Sequence, residues 1–146
     1  MARRVLFLCT GNSARSQMAE AFLRQLGGDQ YEVFSAGLEA KGMHPLTTEV
    51  MREVGIDVSG QRSKSLRETM GRITFDDAII VCRNAEADCP RVSADAKRIH
   101  RWLFDDPAKA EGSPEERLTS FRAVRDQIEW RIKLWLAETA EAERVS

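Results

Sequence analysis

Short, unbroken apolar runs alternate with stretches of helical periodicity along this chain. Val5-Leu6-Phe7-Leu8-Cys9 is the first run, of the kind that fills a strand buried on both faces of a parallel sheet. Met18, Phe22 and Leu26 then recur at four-residue spacing with Ala19 and Leu23 beside them, which predicts a helix from about Ser13 to Leu26, stopped by Gly27-Gly28. Tyr31 to Ala36 reads as a second strand. Pro45 opens a helix carrying Leu46, Val50, Met51 and Val54 and closed by Gly55. Ser63 to Met70 reads as a short helix, Ala78 to Cys82 as a third apolar strand, and Lys97 to Phe104 contains a fourth. Ser113-Pro114-Glu115-Glu116 is a capping box with proline at the first helical position. It opens a long helix with Leu118, Phe121, Val124, Ile128, Ile132 and Trp135 on one face. Trp102, Trp130 and Trp135 are expected in core or edge packing.

Strand, helix, strand, helix, strand is the order of a parallel sheet wrapped by helices. Such sheets bind ligands beyond the carboxyl ends of their strands. Cys9 and Cys82 each end a continuous apolar run, so both are expected on that rim.

With 146 residues, 42% hydrophobic and 31% charged, the chain is expected to form one globular domain over 1–146. Twenty-two Lys and Arg against 23 Asp and Glu leave a net charge of −1, no footprint for nucleic acid or an anionic membrane. No apolar run approaches a transmembrane length. The opening run breaks at Thr10-Gly11-Asn12, too soon for a signal peptide, so the cytoplasm is the expected location. Oligomeric state leaves no mark; the amphipathic faces suit a monomer.

Three cysteines, Cys9, Cys82 and Cys89, are an odd set for a disulfide-stapled secreted fold, and in a reducing compartment thiols are catalytic or metal-binding more often than structural. The gap between Cys82 and Cys89 is long for a zinc knuckle, and His44 and His100 sit at no ligand spacing. No metal and no cofactor is expected. His44, before Pro45, reads as a helix-entry turn residue.

The chemistry concentrates in Cys9-Thr10-Gly11-Asn12-Ser13-Ala14-Arg15-Ser16. A short loop leading from a buried strand into a helix aims backbone N–H groups inward, and the helix dipole favours negative charge there. Arg15 can fork onto two oxygens of a tetrahedral anion. The same field should depress the Cys9 pKa and arm the thiolate, with the Ser16 hydroxyl donating to it. Asn12 tolerates a left-handed backbone. The stretch Thr10 to Ser16 is thus the candidate oxyanion-binding loop. Cys82 and Cys89 flank a short polar segment; as a helix it would hold the sulfurs beyond bonding distance, and local unwinding could join them.

The Cys-x5-Arg-Ser loop near the start of the chain resembles that of the low-molecular-weight tyrosine phosphatase family. The resemblance implies a four-stranded parallel sheet with helices on both faces, and an Asp-Pro general acid late in the chain. The match here is Phe104-Asp105-Asp106-Pro107-Ala108, with Asp106 carrying the role and Asp105 second. Further motifs, among them Ser35-Ala36-Gly37, Glu53-Val54-Gly55-Ile56-Asp57 and the Cys82/Cys89 pair, make the chain similar to thioredoxin-coupled arsenate reductases of that fold. What this implies is a thiol relay: Cys9 attacks arsenate, Cys82 resolves, Cys89 takes over the disulfide, and thioredoxin reduces it. Many such relatives carry cysteine where this chain has Ala14. Some bind potassium through positions matching Asn12, Glu20, Ser35 and an aspartate; the last is Lys64 here, whose ammonium should pair with Glu20. The alternative activity is hydrolysis of a phosphotyrosine or other phosphomonoester, and Ala108-Lys109-Ala110 offers no aromatic residue to stack on such a substrate. A third reading, a redox-regulated module that merely holds an anion, predicts no turnover.

Overall fold

The computed structural model describes residues 2–69, 71–82 and 95–145. Strand β1 (Arg3–Cys9) leads into helix α1 (Arg15–Gly27). Strand β2 (Tyr31–Gly37) and helix α2 (Pro45–Glu53) follow, then β3 (Phe75–Ile80), β4 (Ala96–Arg101) and the long helix α3 (Pro114–Val145). The expected helix after Ser63 is a single 3₁₀ turn, Leu66–Glu68, capped by Ser65 and Glu68. Cys89 and the polar segment before it lie outside the described residues.

The sheet has four strands in the order β2-β1-β3-β4, all parallel, as expected. From β1 the chain winds first to one neighbour, β2, and later to the other, β3. The carboxyl ends of β1 and β3 therefore flank the switch point where ligands bind in such sheets. Leu8 pairs with Ile80, and the Val81 amide donates to the Leu8 carbonyl at 3.0 Å, which brings Cys9 and Cys82 out on one rim.

Apolar content explains the layering. Val5 to Leu8 of β1 and Ala78 to Ile80 of β3 are buried in the two central strands, and Val81 and Cys82 are buried just beyond β3. The edge strand β4 is half exposed and carries Lys97, Arg98, His100 and Arg101, polar cover that discourages pairing with another chain. In α3, Leu118, Phe121, Val124, Ile128, Ile132 and Trp135 are buried as their spacing predicts. Helix α1 packs against α3, and α2 against α3.

Three expectations about apolar residues fail, the first at Val54, the exposed C-cap of α2. Trp130 is 64% exposed, because it stands two residues from Ile128 and so on the opposite side of α3 from the core stripe. Leu26 is also exposed; the stripe of α1 ends at Leu23. Trp102 and Trp135 are buried and meet edge to face at 5.8 Å.

A buried acid inside the sheet has no counterpart in the sequence reading. Asp77 of β3 is inaccessible. Arg3 of β1 donates to it at 2.6 and 3.1 Å, Arg98 of β4 at 3.0 Å, and His100 Nε2 lies 2.8 Å away. One carboxylate thus ties three strands together.

Candidate active site

The loop between β1 and α1 is shaped by where its carbonyls go. Those of Cys9, Thr10, Gly11 and Ser13 accept the amides of Leu38, Glu39, Lys41 and His44 at 3.0–3.2 Å. The Asn12 carbonyl accepts Gln17 Nε2 at 3.1 Å, and that of Ala14 accepts the Met18 amide at 2.9 Å. Every carbonyl from Cys9 to Ala14 is therefore committed outside the loop. In a planar trans peptide the next N–H points the opposite way, so the amides from Gly11 to Arg15 turn inward to the start of α1, where the helix dipole adds positive potential. The Asn12 amide already donates to Cys9 Sγ at 3.1 Å. Asn12 holds φ +50°, the left-handed backbone anticipated for it.

Asn12 and Ser16 brace this loop from behind. Both are fully buried. Asn12 Nδ2 donates to Ser16 Oγ at 2.7 Å and to Ser35 Oγ at 3.0 Å. Its Oδ1 accepts Gln17 Nε2 at 2.9 Å and the Lys64 amide at 2.8 Å. Ser35 Oγ donates a short hydrogen bond to Glu20. Lys64 Nζ stands 3.7 Å from Glu20 Oε1 and donates to Ser35 Oγ at 3.4 Å and to the Arg62 carbonyl at 2.6 Å. The ammonium does pair with Glu20, as the sequence suggested.

Cys9, Thr10, Gly11, Ser13, Ala14 and Arg15 line a cavity of about 390 Å³ together with Asp106. Arg15 is held by the Phe104 carbonyl at 3.0 Å and stands 3.6 Å from Asp106 Oδ2. Asp106 caps the following 3₁₀ turn through the Ala108 amide at 3.0 Å. Asp105 is exposed and outside the cavity. Cys82 is buried, with its sulfur 3.4 Å from Thr10 Oγ1, and no disulfide joins it to Cys9.

The Cys9 pKa runs against expectation. Its hydrogen bond with Cys82 pushes the thiol well above the ordinary range, and burial adds to this; the Ser16 hydroxyl and the Asn12 amide pull the other way without prevailing. The reason is tertiary. A second thiol sits beside it in the same dry pocket, where the charged form of the sulfur is costly.

Several lining residues from outside the motif carried no functional signal in the sequence. Lys41, Met43 and His44 come from the segment between β2 and α2, and Lys109 stands two residues beyond Pro107. His44 is the helix-entry residue expected, its Nδ1 accepting the Leu46 amide at 3.1 Å, and it also packs on Phe121 at 4.7 Å. Burial and the neighbouring Arg117 lower its pKa, with Asp106 opposing. Among the described residues no group of three His, Cys, Asp or Glu could hold a metal ion, and no helix is long and apolar enough to cross a membrane.

This geometry has known parallels. The sequence profile described as low molecular weight phosphotyrosine protein phosphatase matches residues 4–145. The chain belongs to that family. Within it, the chain is 48% identical over 142 residues to a protein of Shouchella clausii named arsenate reductase, covering 97% of this chain and all of the relative. It is 45% identical to another arsenate reductase, from Halalkalibacterium halodurans, over 94% of this chain and 96% of that one. Among solved structures, one described as an arsenate reductase in the phosphate binding state superposes with a TM-score of 0.79 at 34% identity, covering 93% of this chain and 98% of the other.

Proposed function

We propose that this protein reduces arsenate to arsenite by a three-thiol relay regenerated by thioredoxin, acting as a cytoplasmic monomer. The observation that carries the reading is the second buried thiol: Cys82 stands beside Cys9 across the switch point, and ester hydrolysis needs only one. The names of the relatives at 45% and 48% identity point the same way.

The loop amides and Arg15 hold the oxyanion, and Cys9 as thiolate attacks arsenic in line. Asp106 hands a proton to the departing oxygen, which leaves as water. Cys82 then attacks Cys9 Sγ. The S–As electron pair stays on arsenic, so As(V) becomes As(III), arsenite departs and a Cys9–Cys82 disulfide remains. Cys89 attacks Cys82 and frees Cys9, and two thiols of thioredoxin reduce the Cys82–Cys89 bond by exchange. Electrons arrive as thiols throughout, and the chain needs no cofactor of its own for them.

Phosphomonoester hydrolysis is the second reading, favoured by Asp106 lining one cavity with Cys9 and Arg15. Slow hydrolysis of aryl phosphates is expected beside the reductase activity. The Cys89→Ser variant decides between the two: it should complete about one arsenate turnover per chain and stop, while its aryl-phosphate hydrolysis continues. Sustained arsenate cycling by that variant with thioredoxin would overturn the relay.

A further inference from the structure

Lys41 lies across the open side of the anion loop. Its amide donates to the Gly11 carbonyl at 3.0 Å, and its side chain runs flat over the same residue. A Cβ on Gly11 would fall 3.0 Å from Lys41 Cδ, 3.2 Å from Cγ and 3.3 Å from Cβ. Gly11 has no positive φ. The lysine stem thus lies where a side chain on Gly11 would reach, in close contact with the loop. Lys41 is exposed and lines the cavity that holds Cys9, Arg15 and Asp106.

Charge balance singles this residue out. Lys64 is paired with Glu20, Lys97 with Asp76 and Lys133 with Glu129. Among the described residues, Lys41 and Lys109 make no ion pair, and both stand at the cavity. Among the described residues its charged wall is thus Arg15, Lys41 and Lys109 against Asp106, and no Phe, Tyr or Trp lines it. In-line attack by Cys9 directs the leaving oxygen away from the sulfur, out toward this mouth. In a free oxyanion that oxygen carries charge or a proton. In a monoester it carries the organic group, and only the inner oxygens remain charged. A cation at the mouth, with no aromatic surface to receive a ring, favours the first.

We propose that Lys41 is a specificity-determining residue, which makes the cavity prefer a free, multiply charged oxyanion to the same anion esterified. The proposal takes its reaction from the function argued above, but its consequence for binding stands apart from that reaction. Protection of Cys9 from iodoacetamide, read by mass spectrometry of its peptide, is to be titrated with inorganic phosphate and with phenyl phosphate. K41M keeps the stem on Gly11 and loses the charge. It should need about five- to tenfold more phosphate for half-protection, the strength of a charge-assisted contact reduced for exposure, while phenyl phosphate shifts less than about twofold. K41R should restore the wild-type order, K41Q should repeat the loss, and K133M, distant on α3, should leave both titrations unmoved. Equal shifts for both anions, or none, would overturn the proposal. Absence of arsenate turnover in the wild-type chain would instead overturn the reductase reading, and the protection ratios would still decide the role of Lys41.

Discussion

Ser16 Oγ stands 2.7 Å from Cys9 Sγ and accepts a hydrogen bond from Asn12 Nδ2 at the same distance. Because the hydroxyl accepts from Asn12, its one proton is directed at the sulfur, where it favours thiolate. Ser16→Ala should therefore push the Cys9 pKa up further and slow alkylation of Cys9 by iodoacetamide at neutral pH about tenfold, as expected for one hydrogen bond to a charged group. An unchanged pH profile of alkylation would remove Ser16 from the machinery.

Cys82 acts on Cys9 with the opposite sign. Its hydrogen bond is the largest influence raising the Cys9 pKa, so Cys82→Ala should move the half-point of Cys9 alkylation to lower pH. Arsenate reduction should vanish in the same variant, and aryl-phosphate hydrolysis should persist or rise. Loss of both activities would show that Cys82 serves the fold rather than the chemistry.

Asp77 should govern acid stability. Burial alone would raise its pKa, but hydrogen bonds from His100, Arg3 and Arg98 outweigh burial and hold the carboxyl far below the usual range. A depressed folded pKa contributes stability above the unfolded value, about 3.9, and that contribution is lost as pH falls below it. Asp77→Asn should cost about 3 kcal/mol at pH 7, since it leaves Arg3 and Arg98 without their buried partner. It should also flatten the fall of Tm below about pH 4. A Tm profile parallel to that of the wild type would contradict this.

Lys64 should make the protein indifferent to potassium. Its ammonium is within reach of Glu20, Ser35 and the Arg62 carbonyl, and Arg24 pairs with the other oxygen of Glu20 at 2.6 Å, so the carboxylate is offset without a bound cation. Thermal unfolding in potassium chloride should match that in sodium chloride at equal ionic strength, and Lys64→Ala should lower Tm in both. A potassium-specific rise in the wild-type Tm would place a cation there despite the lysine.

Much of this was legible in the chain because it is local. Val5 to Cys9 and Cys9 to Arg15 are contiguous, so one apolar run and one loop motif were enough to anticipate β1, the turn into α1 and the cavity that Cys9 and Arg15 share. The start of β3 was hidden because Asp76 and Asp77 interrupt its apolar pattern, and only the pairing of Arg3, Arg98 and His100 makes a buried acid tolerable there. The sign of the Cys9 shift was misread for a similar reason: the rim shared with Cys82 was foreseen, but not a hydrogen bond between the thiols. Trp130 escaped because apolar character alone does not say on which side of a helix a residue stands. Lys41 reaches the loop across the chain from Gly11, a contact that no spacing announces.

The pairing of Leu8 with Ile80 has one last consequence. Neighbouring parallel strands are spaced by their main-chain bonds at roughly 4.8 Å, so the separation of the two sulfurs that follow is metered by the backbone and not by the side chains packed around them. Repacking the interior, methyl for methyl, should leave that gap intact. A slip of the two strands by a single residue would turn Cys82 to the opposite face and part the pair.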